Sequence, residues 1–231
     1  YKEHAELMKG NLAASTLQLH LTTVKLLAQS VGWGRALHKI TVRDVERFRA
    51  RRLGTGISAS SANKEIKVLR RFFNLAITRG YLRKDSNPCQ GIPMIRVAPK
   101  RPRYVSPDDF ECLFNQAPDV LWRSLLVTLY TTGIRLREAM HLLWRDVDFE
   151  SSQLHVTRRS EEGFIQPWSP KDHEMRVIPL PEQAISLLAT WQGLVPEGCP
   201  YVFMEHARWE YYSKQVRLGL WESGRDLVNN L

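Results

Sequence analysis

Between Ile95 and Tyr104 the chain reads IRVAPKRPRY, with two prolines, four basic side chains and no apolar period. Each proline fixes φ and removes a backbone donor, so the stretch can neither continue a helix nor sit inside a sheet. It therefore divides the 231 residues into a first domain over 1–94, an extended linker over 95–104 and a second domain over 105–231. A hydrophobic content of 43% is enough for a core on each side.

Charge follows the same division. Up to Arg103 there are 21 lysines and arginines against 6 acids, and beyond it 12 against 18, so the overall +9 splits into +15 and −6. Concentrating positive charge in one domain points to a polyanionic partner for that domain, with nucleic acid the expectation. The linker is basic too. Lys100 and Arg101 are candidate contacts to a duplex backbone, beside the plainer reading of the linker as a spacer.

The first domain reads as helical throughout. A helix capped near Ser15 or Thr16 carries Leu17, Leu21, Val24, Ala28 and Val31 at core spacing. Past the Gly32-Trp33-Gly34 turn, Thr41 and Asp44 form an N-terminal capping pattern for a second helix through Arg52. Arg43, Arg47 and Arg51 fall on one face of it, away from Val42 and Val45, which suits either a solvated face or phosphate contacts. The Ser58–Ser61 cluster caps a longer helix with an apolar stripe of Ile66, Leu69, Phe73, Ala76 and Ile77. Opposite it Lys64, Lys67, Arg71, Asn74 and Thr78 share a sector of roughly 80° without an acid. A merely solvated face normally mixes signs, so this one is the better candidate for lying along phosphates. Gly80 stops the helix.

In the second domain Ser106-Pro107-Asp108-Asp109 opens a helix, and an apolar helix follows over 120–130. The runs 153–158, 164–168 and 176–178 are β-prone and predict a small antiparallel sheet, and helical patterns resume over 182–192, 206–218 and from 223. The fold class expected is mainly α, a helical domain followed by a mixed α+β domain with a three-stranded antiparallel sheet. Cys89, Cys112 and Cys199 are scattered outside any CxxC spacing, which argues against a disulfide framework or a zinc site and fits a reducing, cytoplasmic setting. No apolar run of about eighteen residues and no leader pattern predicts a membrane span or a secretory signal. The chain lacks an initiator Met and ends on Leu231 within helix-like sequence, so a piece of something longer is expected.

Chemistry concentrates in Thr131–Glu150, TTGIRLREAMHLLWRDVDFE. With a helix starting near Arg135, Leu136, Ala139, Met140 and Leu143 form the expected buried stripe. Arg135 and Glu138, three apart, flank it together, while Arg137 and His141 fall on the other side. An arginine at such an edge suits bidentate recognition of a phosphate, and a neighbouring carboxylate orients it. A plain surface ion pair fits the same spacing.

These residues resemble the first conserved box of the tyrosine recombinase (phage integrase) family, whose pattern is roughly TGxRxxE followed by leucine, Trp and Asp-x-Asp. The resemblance extends to ISASSANKEIKVLRRFFNLAITRGYL with Asn87-Pro88, similar to the family's helical core-binding domain, and to RYVSPDDF, similar to the start of its catalytic domain. Lys171, five residues before the arginine of Arg176-Val-Ile-Pro-Leu, resembles the family's hairpin lysine.

Family membership implies site-specific recombination of double-stranded DNA. A tyrosine attacks a phosphodiester, leaving a 3′-phosphotyrosyl link and a 5′-hydroxyl, without metal or nucleotide cofactor and generally within a homo-tetramer on paired sites. By position, Arg135 becomes the first phosphate-clamping arginine, Glu138 its acidic support and Lys171 the general acid for the departing 5′-oxygen.

The match is incomplete. No HxxR box and no nucleophilic tyrosine is found: His206-Ala207-Arg208 has the wrong spacing, and Tyr211 and Tyr212 read as helix-packing residues. The catalytic domain is thus expected to be truncated, and the 231 residues to bind DNA without cleaving it. Two rival readings are a non-catalytic DNA-binding module and a metal-dependent nuclease built on Asp146, Asp148 and Glu150; the family comparison takes that run as a helix exit.

Overall fold

The computed structural model describes residues 14–99, 103–171 and 174–220. The chain divides between Pro102 and Arg103 into two units, Tyr1–Pro102 and Arg103–Leu231.

In the first unit α1 (Ala14–Val31) packs on α2 (Val42–Gly54) and α3 (Ala59–Thr78), and α2 packs on α3. The starts are chemically defined. Thr41 Oγ1 accepts the Asp44 N–H at 3.3 Å while Asp44 Oδ2 accepts the Thr41 N–H at 2.9 Å, a reciprocal cap of the kind worth about 1 kcal/mol. Ser58 caps α3 by accepting the Ser61 N–H at 3.1 Å. The end of α3 is closed by Gly80 at φ +77, which lets the Tyr81 N–H return to the Ala76 carbonyl at 2.9 Å.

Val24, Leu27, Val45, Phe48, Ile66, Leu69 and Phe73 form the core of this unit. The buried face of α1 is centred on His20, Thr23, Val24 and Leu27, while Leu17, Leu21, Ala28 and Val31 are only half-buried. Because α1 packs against both other helices, the contact is set by their groove rather than by the most apolar stripe, and Thr23 fits there by donating to the Leu19 carbonyl. Val42, expected opposite the arginines, lies in the first turn of α2 and is 46% exposed.

Beyond α3 the chain runs back along that helix. Asn87 bonds the Arg70 carbonyl, Asn74 Oδ1 and the Cys89 N–H, and Asn63 takes both backbone groups of Ile95 at 2.8 and 3.0 Å. The backbone is therefore held by α3 as far as Ile95.

The second unit begins with α4 (Pro107–Gln116), capped by Ser106, and α5 (Val120–Thr132), capped by Asp119 and ended by Gly133 at φ +64. Then come α6 (Leu136–Met140), a 3-10 turn (Trp144–Asp146), β1 (Val147–Asp148), β2 (Gln153–Val156), β3 (Arg176–Pro179), α7 (Glu182–Gln192) and α8 (His206–Arg217). Helix α5 packs against α7, and Leu125, Ala139, Leu142, Leu154, Val156 and Leu188 fill the core between helices and sheet.

The three antiparallel strands run in the order β1-β2-β3, with Val147 opposite Leu154 and Val156 opposite Arg176. The expected strand over 164–168 is absent. That segment makes only the isolated bridges Arg159 to Trp168 and Glu162 to Ile165, and the third strand is Val147–Asp148 instead. Side chains of the body satisfy the segment's polar groups: Tyr201 Oη accepts the Gln166 N–H at 2.9 Å and donates to the Phe164 carbonyl at 3.1 Å, where Tyr212 also donates. Phe164 meets Trp209 edge-on at 5.1 Å.

Of the two tyrosines expected to pack α8, Tyr212 is fully buried but Tyr211, one position round the helix, is 50% exposed. The helix expected from 223 onward lies outside the described residues. Burial pushes the Cys89 thiol up to about 12 and that of Cys199 up to about 11, and both are free. No helix among the described residues is long and apolar enough to cross a membrane.

Candidate functional site

The site grows from the break between α5 and α6. Gly133 takes the left-handed conformation that ends α5, returning its N–H to the Leu129 carbonyl at 3.0 Å, and Ile134 anchors the connection at 4% exposure. Arg135 then stands as the N-cap of α6 in an extended conformation. Its backbone N–H donates to Glu138 Oε2 at 2.8 Å and its Nη1 to Glu138 Oε1 at 3.2 Å. The Arg135 side chain is 52% exposed and the Glu138 side chain 2%, so a buried anion holds a cation that reaches solvent.

The helical phase expected here fails in detail. Helix α6 is only five residues long, Leu136 is 45% exposed, and Glu138 takes an interior position beside Ala139 and Met140. Glu138 can be interior because a second cation completes its shell. Arg176, at the start of β3, donates Nη2 to Oε2 at 2.5 Å and Nη1 to Oε1 at 3.3 Å. Burial pushes the Glu138 carboxyl up, but the Arg176 hydrogen bonds, the Arg135 N–H and the Arg176 charge outweigh it and hold the group below its ordinary value.

Sequence reading missed this partnership. The signal was present in β3, where Arg176 and Ile178 share the half-buried face by two-residue alternation while Val177 and Pro179 face out. An arginine on a strand's inner face needs acceptors there, and a carboxylate is the strongest of them.

Lys171 lies exposed in the connection from β2 to β3, five residues before Arg176. That connection is tied down ahead of it. Arg159, 8% exposed, pairs with the buried Asp146, and its backbone exchanges hydrogen bonds with Trp168, whose ring stacks on His141 at 5.2 Å. Burial pushes the Asp146 carboxyl above its ordinary value despite the Leu143 N–H and Arg159. Asp148 caps a turn by accepting the Glu150 and Ser151 N–H groups, both at 2.9 Å. Asp146 and Asp148 are thus committed to separate structural bonds, and the described residues contain no group of three His, Cys, Asp or Glu side chains suited to a metal.

In the first unit Lys64, Lys67, Arg71, Asn74 and Thr78 are all exposed along one side of α3. Arg43, Arg47 and Arg51 are exposed on α2, but Arg51 Nη1 donates to Ser30 of α1 at 3.1 Å, so part of that face serves the fold. Lys100 and Arg101 lie outside the described residues.

Known proteins share both the sequence pattern and this architecture. Residues 103–224 match the phage integrase family and residues 1–92 the phage integrase SAM-like domain. The chain is 24% identical over 161 residues to the ICEBs1 integrase of Bacillus subtilis, covering 68% of this chain and 43% of that protein. It is 25% identical over 234 residues to the tyrosine recombinase XerC of Vibrio vulnificus, covering 96% of this chain and 66% of that one. The tyrosine recombinase XerA of Pyrococcus horikoshii is 26% identical, with 73% of this chain and 53% of that protein covered. The chain thus spans between 43% and 66% of the length of these relatives.

Among solved structures, the Tn1549 transposon integrase in complex with a circular intermediate DNA superposes with a TM-score of 0.68 at 19% identity, over 88% of this chain and 70% of that one. A lambda integrase dimer bound to a COC′ core site superposes with a TM-score of 0.70 at 16% identity, over 99% of this chain and 85% of that one. With family models covering most of both units, the chain belongs to the phage integrase family.

Proposed function

We propose that this chain is the core-binding and amino-terminal catalytic part of a site-specific DNA recombinase. The observation that carries the reading is a half-exposed Arg135, held by a buried Glu138, next to the strand that leads back to Lys171.

Arg135 grips the nonbridging oxygens of the scissile phosphate, where charge gathers as a tyrosine oxygen attacks phosphorus. Lys171 donates a proton to the departing 5′-oxygen, leaving a 3′-phosphotyrosyl link and a 5′-hydroxyl. Attack by another strand's hydroxyl reverses the step. The scheme calls on no metal or nucleotide.

In this reading Lys64, Lys67 and Arg71 lie along phosphates, Arg43, Arg47 and Arg51 lend charge beside them, and Lys100 and Arg101 in the linker follow the backbone. The linker over 95–104 joins a core-binding domain over 1–94 to the catalytic part over 105–231. Relatives support the assembly: a lambda integrase tetramer has been seen bound to a Holliday junction. The full-length protein is taken to act likewise as a homo-tetramer on two duplexes, in the cytoplasm where its DNA resides.

No second box or nucleophile is found in the 231 residues. Tyr212 is buried and hydrogen-bonded to Gln166, and burial holds its hydroxyl above the ordinary value. The 231-residue chain therefore binds duplex DNA without forming a covalent adduct. Mobility shift and denaturing gels with labelled DNA test both halves. A protease-sensitive adduct abolished by Tyr211→Phe would overturn the inactivity, and failure to bind DNA would overturn the larger reading.

A further inference from the structure

The shared Glu138 carboxylate has a consequence for charge. Arg135, Glu138 and Arg176 together carry two positive charges and one negative. Arg176 alone contributes two of the four hydrogen bonds the carboxylate receives, and the Arg176 side chain is 34% exposed against 52% for Arg135. We propose that Arg176 is a positioning residue: by neutralising Glu138 fork to fork, it keeps a net positive charge at Arg135 for the scissile phosphate.

Without Arg176, the buried carboxylate has Arg135 as its remaining cationic partner among these three. The charge of the trio falls from +1 to zero, and the Arg135 guanidinium is drawn toward the interior by an anion that water cannot reach. Arg176 also opens the strand that follows Lys171, so one side chain ties the lysine-bearing connection to the start of α6. This inference rests on the recombinase reading.

The decisive test is a charge-restoring pair of substitutions, since a merely structural arginine predicts that two lesions in one buried cluster add. Replacing Arg176 by Met removes one positive charge; replacing Glu138 by Gln as well removes the anion and returns the trio to +1. In the full-length protein, single-turnover cleavage of a duplex it cuts should fall about 10- to 100-fold in R176M. R176M/E138Q should be faster than R176M by about fivefold or more, and R176K, which keeps the charge but not the fork, should lose less than about tenfold.

A second substrate sharpens the result. With one nonbridging oxygen of the scissile phosphate replaced by methyl, the group is uncharged before attack and demands less of the clamp, so the R176M defect should shrink. Thermal melts of each variant identify misfolding, and R176K carries the test if R176M is unfolded.

A double variant slower than R176M, an R176K as slow as R176M, or an R176M defect equal on both substrates would overturn the assignment. An R176M that cleaves at the parental rate would overturn it alone. A parental full-length protein that forms no adduct would overturn the recombinase reading and this inference with it.

Discussion

Glu138 and Arg176 meet fork to fork across 38 positions of sequence, at 2.5 and 3.3 Å, with the carboxylate 2% exposed. The pair joins the short helix that begins after Arg135 to the strand that follows Lys171. Two segments with modest individual signals become one cationic corner.

Arg135 meets the charge that gathers on the scissile phosphate, and catalysis should depend on it more than binding does. Arg135→Ala in the full-length protein should lower single-turnover cleavage by about 10²- to 10³-fold, as removal of a donor to developing charge does. Duplex affinity, carried by many phosphate contacts, should change by less than about tenfold. Equal losses in both would place Arg135 in general binding instead.

Lys171 should show a leaving-group signature. Lys171→Ala should slow cleavage of an ordinary duplex by about 10²- to 10⁴-fold. Replacing the bridging 5′-oxygen by sulfur, which departs without a proton, should restore most of the rate. An unrestored rate would remove the general-acid role.

Glu138 makes stability depend on acid in a defined direction. Its carboxyl is held below its ordinary value in the folded chain, so it contributes stability that is present above about pH 4.5 and lost as pH falls through its folded value. The melting-temperature gap between the parent chain and Glu138→Gln should be widest near pH 7 and close below that point. A gap that grew on acidification would contradict the geometry.

Much of the fold was legible because its signals are local. Thr41, Ser58, Ser106 and Asp119 each cap the helix that follows within three residues, and Gly80 and Gly133 end helices by adopting positive φ. The misses are non-local. Val147–Asp148 reads as a helix exit until Leu154 and Gln153 pair with it, and 164–168 reads as a strand until Tyr201, Trp209 and Tyr212 claim it. At the site, three-residue spacing put Arg135 beside Glu138, but a five-residue helix is too short for a face to be extrapolated, so the burial of Glu138 and the exposure of Leu136 were not foreseeable. The cation that makes that burial tolerable stands on another element.

The buried Asp146–Arg159 pair illustrates the same point and should be costly to break on one side. Asp146→Ala leaves the Arg159 guanidinium buried beside Thr157 without its carboxylate, and should destabilise the chain by about 3–5 kcal/mol in chemical denaturation. The double replacement Asp146→Leu with Arg159→Met should recover a large part of that loss. A double variant as unstable as the single one would show that the pair's directed hydrogen bonds, rather than charge balance, hold the connection.

The basic face of α3 should reveal itself through salt. Reversing Lys64, Lys67 and Arg71 to Glu should weaken duplex binding by the 231-residue chain and flatten log K against log salt by about 0.9 for each phosphate no longer neutralised. An unchanged slope would mean that the face is only solvated.

Whether Arg135 serves a phosphotyrosyl recombination reaction is decided by the DNA end left by the full-length protein on a duplex that the protein itself selects from a random pool, with EDTA present. The expected product is protein joined through a 3′-phosphotyrosine beside a free 5′-hydroxyl, with the adduct abolished in Arg135→Ala. Cleavage that leaves no protein on the DNA, or that EDTA abolishes, would refute that role.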